Sequence, residues 1–326
     1  MKTGNTSLKA ECEEMCPERE LRIRIKEKLL HKLEQGRFYP VKEYSRPAAG
    51  MRSPAPSDIR TVGCLVKTVN YLCSTVYTNS TAASRNIIFD FMFDRLRAVR
   101  QDLILQNVED KSACQILAQI VRFHVVSSLL QKEYTIDKFD PVRNSSHLLE
   151  CVKSVLILQN LNDVVDEERE EMNSIYILSN LSSSAPLMWA TNLPDNLRKS
   201  ENISKSFQLA LLYRQNNFVR YFRLLQSLPP LLQIAALKFT EKMAVHALKV
   251  YSVAYHSVQC KYPLADLSKT FFLKQCVMAD LCTKLGLQLE GDNVKFQKSK
   301  IPTIEDESTL NIFDFNNASK SLHVIR

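Results

Sequence analysis

FDFMFDRLRAVRQDLILQ, residues 89–106, is the stretch from which the rest of the chain is read. Together with Ile88, apolar residues recur at Phe91, Met92, Leu96, Val99 and Leu103, steps of three and four that trace one stripe of a helix. The remaining surface carries Asp90, Asp94, Arg95, Arg97, Arg100 and Asp102. Asp94 stands three residues before Arg97, and Arg97 five before Asp102, so acid and base meet on or near one face. Two readings stay open. Helix statistics favour a surface helix with solvated ion pairs. The alternative is a helix packed on several sides, whose arginines tie neighbouring elements together.

Around this stretch lies a chain of 326 residues, 45% hydrophobic and 24% charged, the balance of a water-soluble globular protein with ample length for a core. Its six glycines disfavour glycine-rich nucleotide loops and all-β folds, and favour helices. The nine cysteines are odd in number and mostly sit in apolar helical pattern, so free thiols in a reducing compartment are expected. The polar N-terminus lacks a signal-peptide core and no uncharged run reaches about eighteen residues, so nucleus or cytosol is expected, with no membrane partner. Charge is uneven: residues 195–300 carry 16 basic and 7 acidic side chains, against 12 and 15 in 61–194. A polyanion is a plausible partner for that basic third.

Residues 1–14 show no apolar period and are expected to be mobile. Pro17, with Glu18 and Glu20 behind it, starts a helix running to about residue 35, with Leu21, Ile25, Leu29 and Leu33 as its inward stripe. Cys12 and Cys16 are half of a metal site at most, because no second pair or histidine follows at ligand spacing. Four prolines between 40 and 56 make residues 38–58 an extended connector anchored by Tyr39, Val41 and Tyr44. Ser57 or Asp58 is expected to cap the next helix, which runs through about residue 77.

Five blocks within this region carry a family resemblance. They are Met15-Cys16-Pro17-Glu18-Arg19-Glu20; Val41-Lys42-Glu43-Tyr44-Ser45-Arg46 with Ala48-Ala49-Gly50; Thr68-Val69-Asn70-Tyr71-Leu72; Asp94-Arg95-Leu96-Arg97-Ala98-Val99-Arg100-Gln101-Asp102; and Arg122-Phe123-His124. In order and spacing they resemble the GANP/Sac-three family over roughly residues 12–300; Pro47 departs from the pattern where a small residue is expected. The resemblance makes Cys16, Pro17, Glu18, Glu20, Tyr44, Arg46, Asp94, Arg95, Arg97, Arg100, Gln101 and Asp102 the structural family motif. It implies a PCI-like architecture, in which a right-handed solenoid of tetratricopeptide-like helical hairpins leads into a C-terminal winged helix. Large members scaffold a transcription–export complex at the nuclear pore, with a second PCI-domain subunit, a small acidic subunit and single-stranded RNA as partners. Lacking phenylalanine-glycine repeats and the long centrin-binding helix, this chain looks like the short members, linked to centrosome duplication and the spindle and hence to centrosomal proteins.

Further along, residues 111–134 read as an apolar helix. His124 lies beside its stripe with Ser127 and Ser128 three and four residues on, but with no cysteine or carboxylate at that spacing to complete a relay, so it reads as a core histidine. The acidic residues 137–171 read as loop and helix-start charges, because no glycine-centred calcium loop surrounds them. Helices are expected at 145–160, 167–182, 204–214, 217–228 and 231–257, with 182–195 a loop in which Trp189 packs across a helix junction. Arg214, Arg220 and Arg223 alternate with aromatics, a pattern that suits core packing better than base stacking. After residue 257, short helical steps at 264–267 and 269–272, a recognition-type helix at 274–285 and a hairpin turning at Glu290-Gly291-Asp292 complete the winged-helix pattern. Lys269, Lys274, Lys284, Lys295, Lys298 and Lys300 are its candidate nucleic-acid-binding residues, giving attraction without base specificity.

The domain plan is therefore a flexible 1–14, helix and connector 15–60, helical repeats 61–257, a winged-helix subdomain 258–300 and a flexible acidic tail 301–326. No phosphate loop, nucleophile elbow, metal-ligand pair or histidine relay is found, so neither an enzyme nor a cofactor is expected. The leading expectation is a non-enzymatic scaffold of a PCI-type complex in mRNA export or processing, with weak RNA binding. The alternative is an adaptor in centrosome duplication and spindle assembly, without nucleic acid.

Overall fold

The computed structural model describes residues 9–36, 38–46, 54–79, 84–132, 134–162, 164–257 and 259–297. Expectations for residues 1–8, for Pro47 to Gly50 and for the tail 301–326 lie outside the described residues. The described chain is mainly helical and falls into two compact units: one of residues 9–127 and 150–164, the other of 128–149 and 165–297.

In the first unit, Cys12 is buried and forms an isolated parallel bridge with Arg60, and Glu11 N–H reaches the Pro56 carbonyl at 3.0 Å, so residues 11 and 12 pair with the segment before α2. Pro17 leads into α1 (Glu18–Lys26), with Glu18 and Glu20 in the first turn. The helix stops nine residues short of the expected end. Lys28 adopts φ 54°, Leu29 N–H bonds the Arg24 carbonyl at 2.8 Å and Lys28 N–H bonds the Ile25 carbonyl at 3.2 Å, which together close a Schellman turn. The expected inward stripe is inward only in part: Leu21 and Leu33 are half-buried, but Ile25 is 57% and Leu29 59% exposed, whereas Arg24 is 3% exposed. An amphipathic period shows that two faces differ, but which face is buried depends on the partners that face finds.

After a short 3₁₀ turn (Pro56–Asp58), Thr61, and not Ser57 or Asp58, caps α2 (Val62–Tyr71) by accepting from Cys64 N–H at 3.3 Å. α2 continues as a π turn (Leu72–Tyr77). Then come α3 (Arg85–Gln106) and α4 (Lys111–Ser127), and α2, α3 and α4 pack on one another. α3 is enclosed. Phe89, Phe91, Met92, Phe93, Leu96, Ala98, Val99 and Leu103 are buried, and so are Arg95 and Asp102. The solvated-surface reading of residues 89–106 is thereby overturned, and the reading with several packed sides holds. Lys111–Leu130 is long and apolar enough to cross a membrane by length and composition, yet 72% of that window is buried inside the protein, as in a core helix.

α5 (Pro141–Leu161) contributes residues to both units. In the second unit α6 (Asp166–Leu178), α7 (Ala185–Thr191), α8 (Asp195–Arg198) and α9 (Glu201–Arg214) pack together. α7 occupies part of the expected loop 182–195, because Pro186 sits in its first turn and Trp189 fastens it, donating to Asn173 Oδ1 at 2.7 Å and meeting Tyr176 edge-on. α10 (Phe218–Leu225) packs on α9 and on α12 (Leu237–Ala254), which α11 (Pro230–Ala235) precedes; Ala236 interrupts the expected single helix 231–257. The mainly helical chain, with few strands, is consistent with a helical solenoid, although the most extensive pairing, α6 on α9, skips two short helices.

The C-terminal segment is mixed. α13 (Leu264–Phe271) is one helix instead of two steps, α14 (Gln275–Lys284) follows, and the hairpin β2 (Gln288–Glu290) and β3 (Asn293–Lys295) turns at Gly291, φ 58°. β1 (Tyr262–Pro263) joins it in an antiparallel sheet of order β1-β3-β2, with Val294 opposite both Tyr262 and Leu289. Val294 is buried, and Tyr251, Tyr255, Tyr262 and Phe296 form an aromatic cluster with ring centroids 4.7–6.3 Å apart.

Candidate functional site

Two constellations carry the charge chemistry, one in each unit. In the first unit the connector 38–46 lies along α3 and is held there by two buried ionic knots. The first centres on Glu34, whose side chain is fully buried. Its carboxylate accepts from Arg24 Nη2, from Arg95 Nη2 at 3.3 Å, from His31 N–H at 3.1 Å and from Val41 N–H at 2.9 Å. Glu43 bridges the same two guanidinium groups, at 3.1 Å to Arg24 and 2.9 Å to Arg95. Glu20 accepts from Glu43 N–H at 2.8 Å, and Asp94 from Tyr44 N–H at 3.2 Å and Arg95 Nη1 at 2.6 Å. Arg24 Nη1 closes the ring on the Val41 carbonyl at 3.1 Å.

The second knot centres on Asp102, also fully buried. It accepts from Lys42 Nζ at 2.6 Å and from Arg60 Nε at 2.7 Å. Lys42 Nζ also donates to the Asp58 carbonyl at 2.5 Å, and Gln106 Nε2 donates to the Arg60 carbonyl at 3.0 Å. Charges removed from water in this way persist because each is paired and hydrogen-bonded.

The electrostatics follow burial. Burial pushes the Cys16 thiol up to about 12, and pushes Glu20 up as well, against its bonds to Glu43 N–H and Arg24. Burial opposes the charge on Arg24, but Glu34 and Glu43 outweigh it and raise its pKa. Burial, reinforced by Arg95, lowers His31. This is an arrangement for holding backbone in place. Its two central carboxylates are taken up by cations and by backbone N–H groups.

Of the motif residues, Glu20, Asp94, Arg95 and Asp102 join the two knots. Cys16 lies 3.8 Å from Arg24 Nη1, and Pro17 precedes α1. Arg97 stacks on Tyr44 at 3.8 Å from the ring centroid, and Gln101 Nε2 donates to the Ser45 carbonyl at 2.8 Å, so both also clasp the connector. Arg100 pairs with Glu150 at 3.2 Å. Glu18 pairs with exposed Arg22, and Arg46 is exposed. Sequence reading missed Arg24, Glu34 and Arg60 as members. Arg24 looked like one cation among several on a charged face, while Glu34 and Arg60 fell near the end of one expected helix and the start of the next, off the stripes that drew attention. His124 is a buried core residue, edge-on to Phe93 and Phe123.

The second constellation is the basic C-terminal segment. Lys269 on α13 is 81% exposed beside Asp266 at 3.6 Å; Lys274 stands immediately before α14, without a side-chain cap bond, and exposed Lys284 ends it. Lys295 on β3 reaches Glu290 at 3.4 Å, as does Lys261 at 2.9 Å, a cation the sequence reading passed over; their hydrogen bonds lower the Glu290 pKa. Lys298 and Lys300 lie outside the described residues. Arg214, Arg220 and Arg223 do not stack bases against Tyr221 and Phe222, because both rings are fully buried.

The chain is similar in sequence to known proteins over most of its length. The chain is 24% identical to Protein xmas of Drosophila melanogaster over 92% of its own length, 26% identical to SAC3 family protein 1 of Schizosaccharomyces pombe over 86%, and 25% identical to SAC3 family protein B of Arabidopsis thaliana over 65%. It spans 15%, 30% and 14% of those three proteins respectively. The description of the SAC3/GANP family matches residues 15–291, from the segment just before α1 to the turn of the C-terminal hairpin, and the chain belongs to that family.

Proposed function

We propose that this protein is a non-enzymatic scaffold subunit of a PCI-type complex that acts in mRNA export or processing and binds RNA weakly through its C-terminal segment. The observation that carries the reading is the family match over residues 15–291, which takes in both ionic knots and the C-terminal segment as far as the hairpin turn, including Lys269, Lys274 and Lys284. The knots support a scaffold role, since they commit buried charge to fixing a connector and not to a reaction. In this reading α13, α14 and the β2–β3 hairpin form a winged helix, with α14 as the recognition-type helix. A second PCI-domain subunit and a small acidic subunit dock on the helical repeats. Lys269, Lys274, Lys284 and Lys295 meet the phosphates of single-stranded RNA. Surface pairs such as Lys269–Asp266 are worth about 0–1 kcal/mol and exchange readily for phosphate. Nucleus and nuclear pore are the expected locations.

Affinity purification of the full chain with mass spectrometry tests the reading. Recovery of a PCI-domain subunit is expected. Recovery of centrosomal and spindle proteins without such a subunit would replace the export reading with the adaptor reading.

A further inference from the structure

We propose that a groove between the C-terminal end of α9 and the middle of α12 is a nucleotide-phosphate site. The groove has a volume of about 440 Å³, within the range of small-ligand sites. Arg214, Lys242 and His246 line it, together with Tyr213, and none of its described lining residues is acidic. Elsewhere the pattern is the opposite: Arg24, Lys42, Arg60 and Arg95 all face carboxylates.

The groove's donors are uncommitted. The side chains of Lys242 and His246 and the hydroxyl of Tyr213 have no hydrogen-bond or ion-pair partner among the described residues. Arg214 uses Nη1 in a 3.3 Å bond to the Ser182 carbonyl, which leaves the rest of its fork to a ligand. A planar fork, an ammonium, an imidazole and a phenol lining one groove without a carboxylate suit the tetrahedral oxyanion of a phosphate.

Two further features favour a nucleotide over an acidic peptide. The lining mixes polar and apolar surface, and its aromatic part is the half-buried Tyr213 ring, which is itself propped by Phe239 at 5.3 Å. That surface takes the face of a base, beside which the Asn216 amide offers both a donor and an acceptor. Asn216 is held in place by its left-handed backbone, φ 55°, which closes the turn after α9.

The site is separate from the lysines of α13, α14 and β3, and its test separates the two. The full chain is titrated by calorimetry with adenosine 5′-monophosphate, inorganic phosphate, a short single-stranded oligoribonucleotide and a phosphate-free oligo-aspartate peptide. Nucleotide binding is expected, and Arg214→Gln/Lys242→Gln should weaken it by about tenfold or more, since the charge-assisted bonds to phosphate are removed. Both side chains are exposed, so the variant should keep the wild-type thermal midpoint. Lys274→Glu/Lys284→Glu/Lys295→Glu should leave monophosphate binding unchanged. Competition of the oligoribonucleotide with the monophosphate identifies an RNA phosphodiester as the occupant, and its absence a free nucleotide. The proposal is overturned if the monophosphate does not bind, if the double variant binds it equally, or if the peptide binds as tightly.

Discussion

Asp102 is fully buried between Lys42 Nζ and Arg60 Nε, so removing it strands two cations. Breaking one side of a buried pair costs far more than the pair contributes relative to an apolar replacement, because the orphaned charge keeps its desolvation penalty. Asp102→Ala should therefore lower stability by about 3–5 kcal/mol in urea denaturation, whereas Glu18→Ala, at an exposed pair, should change it by less than about 1 kcal/mol. His31 gives a second test. Its Nδ1 accepts from Leu33 N–H at 3.2 Å and its ring lies 5.0 Å from Phe91, while burial and Arg95 depress its pKa. With the folded pKa below the ordinary value of 6.5, the unfolded chain binds more protons as the pH drops below 6.5, and stability falls with it. The loss in thermal midpoint between pH 7.5 and pH 5.5 should be smaller in His31→Gln than in the wild type.

At the scale of elements, the helix ends are unusual for their chemistry. With few glycines available, the left-handed position after a helix falls to Lys28, Asn107, Asn216 and Phe272, at φ between 51° and 55°. Each closes a Schellman turn: Val108 N–H reaches the Leu103 carbonyl at 3.1 Å, Asn217 N–H the Leu212 carbonyl at 3.0 Å, and Leu273 N–H the Ser268 carbonyl at 3.0 Å. Asparagine tolerates that conformation, but a longer side chain is strained in it. The Lys28 side chain is exposed to solvent, so burial does not offset the strain, and Lys28→Gly should raise stability by about 0.5–1 kcal/mol. Asn107→Gly should be closer to neutral, and the two together make a paired test in chemical denaturation. The early stop at Lys28 also has a structural consequence. It frees residues 29–36 to turn back and carry Glu34 beneath α1, against Arg24 and Arg95.

For the whole molecule, charge is separated along the chain: residues 195–300 are strongly basic and residues 61–194 mildly acidic. A field of this kind acts on a polyanion mainly through counterion release, so RNA affinity should fall linearly on a log–log plot against salt. Lys274→Glu/Lys284→Glu/Lys295→Glu should flatten that line by roughly one slope unit for each phosphate the variant no longer neutralises, without unfolding the protein. Binding that is undetectable, or indifferent to salt, would remove RNA from the proposed function. The two units differ in how they use charge. The first turns it inward, into knots that anchor a connector, and the second leaves it facing solvent, on α13, α14, β3 and the α9–α12 groove.

Much of this was open to reading from one dimension. Helix periodicity marked α3, α4, α9 and α10, and Gly291 between alternating runs marked the hairpin, because those signals are carried by residues within a turn or two of one another. The five blocks from Met15 to His124, in order and spacing, sufficed to indicate the family. The direction in which α1 faces was not legible, nor was the fate of its charges. Arg24 meets Glu34 10 residues away, Arg60 meets Asp102 42 away and Lys42 meets Asp102 60 away. Periodicity says that two faces of a helix differ, whereas burial of an ion depends on whether a partner from elsewhere in the chain arrives to neutralise it. The sequence by itself determined the helical class, the family and the local starts and turns. Only the tertiary structure decided which arginines lie inside, since the free energy of a buried charge is a property of its surroundings and not of its neighbours in the chain.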